Sequence, residues 1–299
     1  MNSAEYPDKH AYLFLVYKNT YVLEKTLRLI DDERNDIYIH VDAKSEHFDF
    51  DICNQIVKKS KLVFTERIPC FWASFSLFKA TLVLLNAAHD SGVYRYYHLM
   101  SETCLPLKSQ DYIHAQLYDE KSDYIEMNEI TFDTSSWNKY YYYLTDKDGY
   151  RTSKAVKFIS RILLIIPQKI FFIDRWRGCK GKTGERIKPQ WGWQWFSLRN
   201  STVEMLLSYE DFITLHFDKT HVPDECCIPT MIYNFGNPDE VISSKRNIIF
   251  DGKPSVLTIE DYDRLMQSDD FFARKFDENT DKEVIDRIFN ELVVGKNDK

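Results

Sequence analysis

The feature that most constrains this chain is an alternation. Residues 11–17 (AYLFLVY), 37–41 (IYIHV), 61–65 (KLVFT) and 94–100 (YRYYHLM) are short runs of strand length. The first is apolar throughout, the mark of a strand buried on both faces. Between them lie helical patterns. Thr20 is placed to cap a helix with Val22, Leu23, Leu27 and Ile30 on one side, and residues 74–88 repeat Leu77, Ala80, Leu84 and Ala88. Strand–helix–strand units of this kind need crossovers and predict an α/β fold on a mostly parallel sheet. Ligands of such sheets bind at the carboxyl ends of the strands. Those ends fall at Tyr17-Lys18, His40-Val41-Asp42 and Ser101-Glu102-Thr103.

Beyond the fourth run the pattern loosens. Residues 124–144 are rich in Tyr and acids, and residues 194–198 (QWFSL) predict a strand beside Trp191, Gly192 and Trp193. Asn200 is expected to cap a helix through Val203, Leu206 and Leu207. A helix then starts at Pro223, residues 247–250 are strand-like, and Thr258 with Asp261 forms a capping box. The last helix runs over about 281–293. With 299 residues the chain is long enough for one large domain. It is expected to be a single domain over 1–299, with a nucleotide-binding half over about 10–125 and an acceptor-binding and catalytic half over about 126–299.

Charge and motifs exclude several functions. A net charge of −7 argues against a general nucleic-acid binder. No GxGxxG and no GxxxxGK[ST] occurs, so neither familiar phosphate loop is present. The six cysteines form no CxxC pair, and several sit in apolar strings, which predicts reduced thiols rather than a zinc knuckle. Residues 1–10 are polar, so no signal peptide is expected, and no run of about 18 apolar residues suggests a membrane span.

The candidate chemistry centres on residues 220–230 (THVPDECCIPT). Pro223 suits a first helical turn, and Asp224 and Glu225 then lie where the helix dipole favours negative charge. Such a pair is either ordinary N-terminal charge or a carboxylate held rigidly at a cleft. Asp42 ends a strand, where it either caps the next turn or accepts hydrogen bonds from a ribose or base. Arg246 in KRNIIF and Lys275 in FFARKF are cations among apolar neighbours and call for an anionic partner, either a diphosphate or a protein carboxylate. Asp-x-Asp pairs occur at Asp49/Asp51, Asp146/Asp148 and Asp261/Asp263, none of them after the fourth strand, where Glu102 is the single acid. Basic side chains rather than a metal are therefore expected to neutralise a leaving diphosphate.

Seven strings, in order over about residues 10–290, carry a resemblance: AYLFLVYKN, IYIHVDAKS, WASFSLFKA, YRYYHLMSETCLPLKS, WGWQWFSLRNSTVEMLL, HVPDECCIPTMIYN and PSVLTIEDYDRLMQSDDFFARKFD. The chain resembles the core-2/I-branching β-1,6-N-acetylglucosaminyltransferases, grouped with peptide xylosyltransferases as glycosyltransferase family 14. The resemblance implies a GT-A-type, Rossmann-like sheet, a UDP-sugar donor, inversion at the anomeric carbon and no metal or other cofactor. It assigns Glu225 as catalytic base, Lys275 and Arg246 as diphosphate ligands and Asp42 as the uridine-contacting acid, with Arg274 and Val16 beside them on the donor side. The acceptor is expected against Glu102, Glu126, Trp137, Trp191 and Trp193. The sequence departs from the family at Cys104, where many members have Asp, at Glu102, where many have Gly, and at Trp193-Gln194-Trp195, where animal members carry small residues.

Animal members carry a membrane anchor and disulfides. The expectation here is a bacterial cytoplasmic enzyme, peripheral at the inner face of the plasma membrane, that adds N-acetylglucosamine to a surface polysaccharide, its acceptor either free or lipid-linked. Transfer of xylose, glucose or galactose is the alternative within enzymes, and a non-catalytic assembly subunit the alternative outside them. The membrane expectation comes from residues 151–188, where eleven Lys and Arg face two acids around an apolar core. Pro167 is expected to break that segment into two short amphipathic pieces.

Overall fold

The computed structural model describes residues 8–129, 139–145, 153–250 and 254–297. Trp137 and the Asp146/Asp148 pair lie outside the described residues. The first half alternates as its sequence requires: β1 (His10–Val16), α1 (Tyr21–Ile30), β2 (Asn35–Val41), α2 (Phe50–Ile56), β3 (Lys61–Phe64), α3 (Phe75–Ser91) and β4 (Tyr96–Ser101). Next come β5 (Leu105–Pro106), α4 (Gln110–Leu117), β6 (Asp123–Tyr124) and β7 (Asn128–Glu129). The helices start where side-chain oxygens satisfy free N–H groups: Thr20 accepts from Leu23 N, Ser74 from Ser76 N and Ser109 from Tyr112 N.

Continuing, α5 (Lys154–Ile159) runs through a π-helical stretch (Ser160–Ile165) into α6 (Ile166–Ile170). Pro167 therefore does not split this segment. It sits in the first turn of α6, where a proline costs little, and the π stretch before it leads into that turn with Ile166 N–H bonded to the Arg161 carbonyl. After it follow β8 (Gln190–Trp191), β9 (Ser197–Arg199), α7 (Asn200–Ser208), α8 (Glu210–Phe217) and α9 (Pro223–Phe235). The chain then forms β10 (Val241–Ile242), β11 (Arg246–Ile248), α10 (Tyr262–Gln267), β12 (Phe272–Arg274) and α11 (Lys282–Asn297). The predicted strand at 194–198 begins only at Ser197, and Asn200 is the first residue of α7 rather than its cap. Its side chain is used elsewhere, accepting from Tyr97 Oη and donating to Glu204.

Seven strands form the central sheet in the order β10-β6-β9-β4-β1-β2-β3. All pairings are parallel except those of β9, which runs against β4 and β6. This is the mostly parallel, helix-flanked sheet expected of the GT-A type. β1 and β2 are buried along their whole length because helices cover both faces. On one side α3, α7 and α9 pack through Phe78, Leu84, Leu206, Cys227 and Met231. On the other, α1, α2 and α4 pack through Leu23, Leu27, Cys53 and Ile113. A second sheet, β11-β12-β5, carries the segment of Arg246 and Arg274 and is held by α1, α10 and α11. All six cysteines are free thiols.

Candidate active site

The carboxyl ends of the parallel strands are stitched to α9 by the backbone. Asp42 N–H donates to the carbonyl of Val16 at 2.9 Å, joining the ends of β1 and β2. The Asp42 carboxylate accepts from Lys44 N at 2.9 Å and Cys70 N at 3.3 Å, closing an Asx turn and gathering the 70–74 loop. That loop reaches α9: the carbonyl of Ala73 accepts from Val222 N at 3.2 Å, and the Trp72 ring lies 6.1 Å from the ring of His221. Ala73 and Val222 both adopt positive φ, 65° and 47°. Left-handed backbone at a β-branched residue is costly, and the packing at this junction holds it there.

Pro223 opens α9, leaving Asp224 and Glu225 in its first turn. Asp224 is buried, and its Oδ1 finds no hydrogen-bond donor among the described residues. Burial pushes its carboxyl up to about 6. Glu225 is partly buried, and burial together with the adjacent Asp224 pushes its carboxyl up to about 8. A carboxyl titrating there is poised to exchange a proton near neutral pH.

The opposite wall comes from the antiparallel pair of β7 and β8, which joins two segments distant in the chain. Gly192 N–H donates to the carbonyl of Glu225 at 2.8 Å. A side chain at Gly192 would meet the Glu126 carbonyl oxygen at 1.7 Å, so only glycine permits this approach. Glu126 and Glu225 are thus brought together through one glycine. The Glu126 carboxylate accepts from the hydroxyls of Ser243 and Ser244. Trp191 Nε1 donates to the Glu129 carbonyl at 3.2 Å, and Trp193 packs 5.2 Å from the ring of Phe250.

The third wall is cationic. Glu102 follows β4, and its carbonyl accepts from Thr20 Oγ1 at 2.6 Å. Burial raises its carboxyl, while the Tyr17 N–H and the nearby Arg274 and Lys275 pull the other way. Phe276 N–H donates to the Thr103 carbonyl at 3.0 Å, which fixes Lys275 beside that turn. Lys275 is partly exposed and forms no ion pair among the described residues. Arg274 lies 4.1 Å over the Trp195 ring. Arg246 is buried next to Arg274. One of its nitrogens donates to the Phe196 carbonyl at 2.5 Å, its guanidinium stacks 4.2 Å from the Phe272 ring, and Nε and Nη1 have no acceptor among the described residues. Burial pushes this guanidinium down to about 10.

The sequence reading sets Val16, Asp42, Arg246, Arg274 and Lys275 on the donor side, Glu102, Glu126, Trp137, Trp191 and Trp193 against the acceptor, and Glu225 as base. The structure sets Glu102 beside Arg274 and Lys275, brings Glu126, Trp191 and Glu225 together around Gly192, and joins Asp42 to α9 through the 70–74 loop. It adds residues that the reading leaves unassigned. Trp195 is the platform under Arg274, Asp224 raises the Glu225 carboxyl, and Ala73 seats α9. Gly192 between two tryptophans was the available sign of a close backbone approach. Of the Asp-x-Asp pairs within the described residues, Asp49 caps α2 and Asp261 closes the capping box of Thr258. Among the described residues, the cluster with metal-ligand geometry is Asp8, His10 and His114, at the amino end of β1 and away from Glu225.

The model of the core-2/I-branching enzyme family matches residues 10–254. Among solved structures, the apo form of mouse xyloside xylosyltransferase 1 is similar at 10% identity and a TM-score of 0.39, over 88% of this chain and 96% of that chain. No curated protein sequence matches.

Proposed function

The chain belongs to the core-2/I-branching enzyme family and is a glycosyltransferase, and from that premise we propose that it moves N-acetylglucosamine from UDP to a hydroxyl of a glycan by a single inverting displacement without a metal. The observation that carries this reading is Glu225, a carboxyl raised to about 8 at the mouth of α9. Glu225 takes the proton of the acceptor hydroxyl as that oxygen attacks the anomeric carbon and the bond to the diphosphate breaks. The negative charge left on UDP falls to Lys275 and Arg274, with Arg246 behind them. Asp42, at the end of β2 beside Val16, holds the uridine side. Trp191, Trp193, Glu126 and Glu102 face the acceptor and the transferred sugar. The product glycan belongs to a bacterial surface polysaccharide built at the cytoplasmic side of the membrane.

A panel of UDP-sugars tests the donor. A ligand that binds only the folded state raises the melting temperature by an amount set by its affinity. UDP-N-acetylglucosamine is expected to give the largest rise and to be the donor consumed when a glycan acceptor is added. A larger rise and turnover with UDP-xylose, UDP-glucose or UDP-galactose would overturn the choice of sugar. Absence of any response to every UDP-sugar would overturn the donor class.

A further inference from the structure

The helical segment from Lys154 to Ile170 presents an apolar face that this chain does not cover. Phe158 is 64% exposed, Leu163 65%, Phe171 75% and Phe172 81%, with Ile159, Ile162, Ile166 and Ile170 exposed beside them. Such large side chains in one contiguous exposed patch mark an interaction surface. Lys154, Lys157, Arg161 and Lys169 are interleaved with them and equally exposed, and residues 153–173 contain no acid, in a protein of net charge −7. Apolar side chains ringed by cations complement an anionic lipid surface, where the chains enter the acyl boundary and the cations meet the headgroups.

The inner face of the segment is fixed to the body of the protein. Ile165 is buried with Tyr140 and Tyr142, and Gln168 grips the backbone N–H and carbonyl of Tyr141, both at 2.8 Å. Tyr142 in turn stacks 5.1 Å from the ring of His221, and its N–H donates to the Lys219 carbonyl at 2.6 Å. Arg175 donates to Thr220 Oγ1 and to the Asp218 carbonyl. A segment held along one side in this way cannot insert across a bilayer, and no described helix is long and apolar enough to cross one. At 1.5 Å per residue it lies as a rod of about 25 Å. Its anchor points, residues 218–221, immediately precede the α9 turn that carries Glu225.

We propose that the exposed face of residues 154–173 docks this enzyme onto an anionic lipid bilayer, with the mouth formed by α9 turned toward the headgroups. The docking rests on the exposed face and its cations, independently of any role for Glu225. Its consequence for the reaction, delivery of acceptors assembled on a lipid carrier, rests on the glycosyltransferase reading.

Co-sedimentation of the full chain with vesicles tests the proposal. The protein is expected to pellet with vesicles containing phosphatidylglycerol, to stay in solution with phosphatidylcholine alone, and to be released by salt. The pairs Phe171→Ser/Phe172→Ser and Lys157→Glu/Arg161→Glu are each expected to weaken pelleting by about tenfold or more. Their melting temperatures are expected to stay near that of the parent, because these side chains touch solvent. Failure to pellet with anionic vesicles, or pelleting unchanged in both variants, overturns the proposal. A concentration-dependent dimer in sedimentation velocity that Phe171→Ser/Phe172→Ser abolishes, with no vesicle binding, would instead assign the face to a second copy.

Discussion

Gly192 N–H donates to the carbonyl of Glu225 at 2.8 Å, across a gap so narrow that the Glu126 carbonyl occupies the place of a side chain at 192. The β7–β8 wall and the first turn of α9 are therefore one rigid unit. Glu225 is held by its own backbone at the turn's start, with the wall of Trp191 and Glu126 at a fixed offset. Positioning of this kind is what a proton acceptor needs when a displacement of about 1 Å costs orders of magnitude in rate.

That unit makes Gly192→Ala a sensitive probe. A methyl group at 1.7 Å from backbone oxygen cannot be relieved by rotating a side chain, so the backbone of one of the two segments must move. Transfer is expected to fall by about 10²-fold or more with the far-UV circular dichroism retained. Parent-level transfer in this variant would show that the β7–β8 wall does not set the geometry of the site.

Proton uptake sets the pH dependence. The Glu225 carboxyl is raised to about 8 by burial and by Asp224, and a base works only when ionised. Acceptor kcat/KM is therefore expected to climb about tenfold per pH unit below about 8 and to level above it. The two carboxyls titrate as a pair, so the midpoint belongs to both. A flat profile from pH 6 to 9 would contradict the assignment.

The same shift has a stability sign. In the unfolded chain Asp224 and Glu225 ionise near 4, whereas in the fold they retain protons up to about 6 and 8. The folded state therefore binds more protons between those values, and stability falls as pH rises through them. Glu225→Gln removes that loss and is expected to raise the melting temperature at pH 8, by about 2 °C or more per kcal/mol recovered, and to leave it unchanged at pH 4. A lowered melting temperature at pH 8 would mean that the carboxylate is stabilised by contacts the fold does not display.

The cationic wall separates binding from folding. Arg246 is buried with two nitrogens unsatisfied among the described residues, a state that costs stability until an anion arrives. Arg246→Met is expected to keep or raise the melting temperature of the free protein while reducing the rise produced by UDP. Lys275→Ala is expected to weaken UDP binding by about tenfold and leave acceptor binding unchanged. Unchanged UDP affinity by calorimetry in both variants would remove this wall from the donor site.

Metal independence is a separate expectation. Glu102 is the lone acid after β4, and its neighbours are Arg274 and Lys275 rather than further carboxylates. Transfer is expected to persist in EDTA. Loss of transfer in chelator with rescue by Mn²⁺ would place a metal on Glu102.

The first half of the fold was legible because β1, β2 and β4 are buried along their whole length and each helix has its cap, as Thr20 and Ser74 show. The second half was less so. β9 begins only at Ser197, with Gln194 in a bend and Phe196 reaching β4 through one bond, its carbonyl accepting from Leu99 N–H at 3.0 Å, so QWFSL reads longer than β9, and Asn200 serves Tyr97 and Glu204 instead of a helix start. Pro167 misled because it falls in the first turn of α6 after a π stretch, a feature that no local propensity announces. In the site, Glu225, Lys275 and Asp42 stood out as charges beside apolar strings. Trp195 and Ala73 did not, since a ring under Arg274 and a left-handed alanine against Val222 exist only once distant segments meet.

The central claim is that the Glu225 carboxylate accepts the proton of the attacking hydroxyl. Replacing it by Gln keeps the shape of the turn and removes the basicity. The decisive measurement is the transfer rate of Glu225→Gln at saturating donor, alongside its UDP affinity by calorimetry. The account predicts UDP affinity close to that of the parent and transfer reduced by about 10²–10⁴-fold. Transfer close to the parent rate, with UDP still bound, would contradict it.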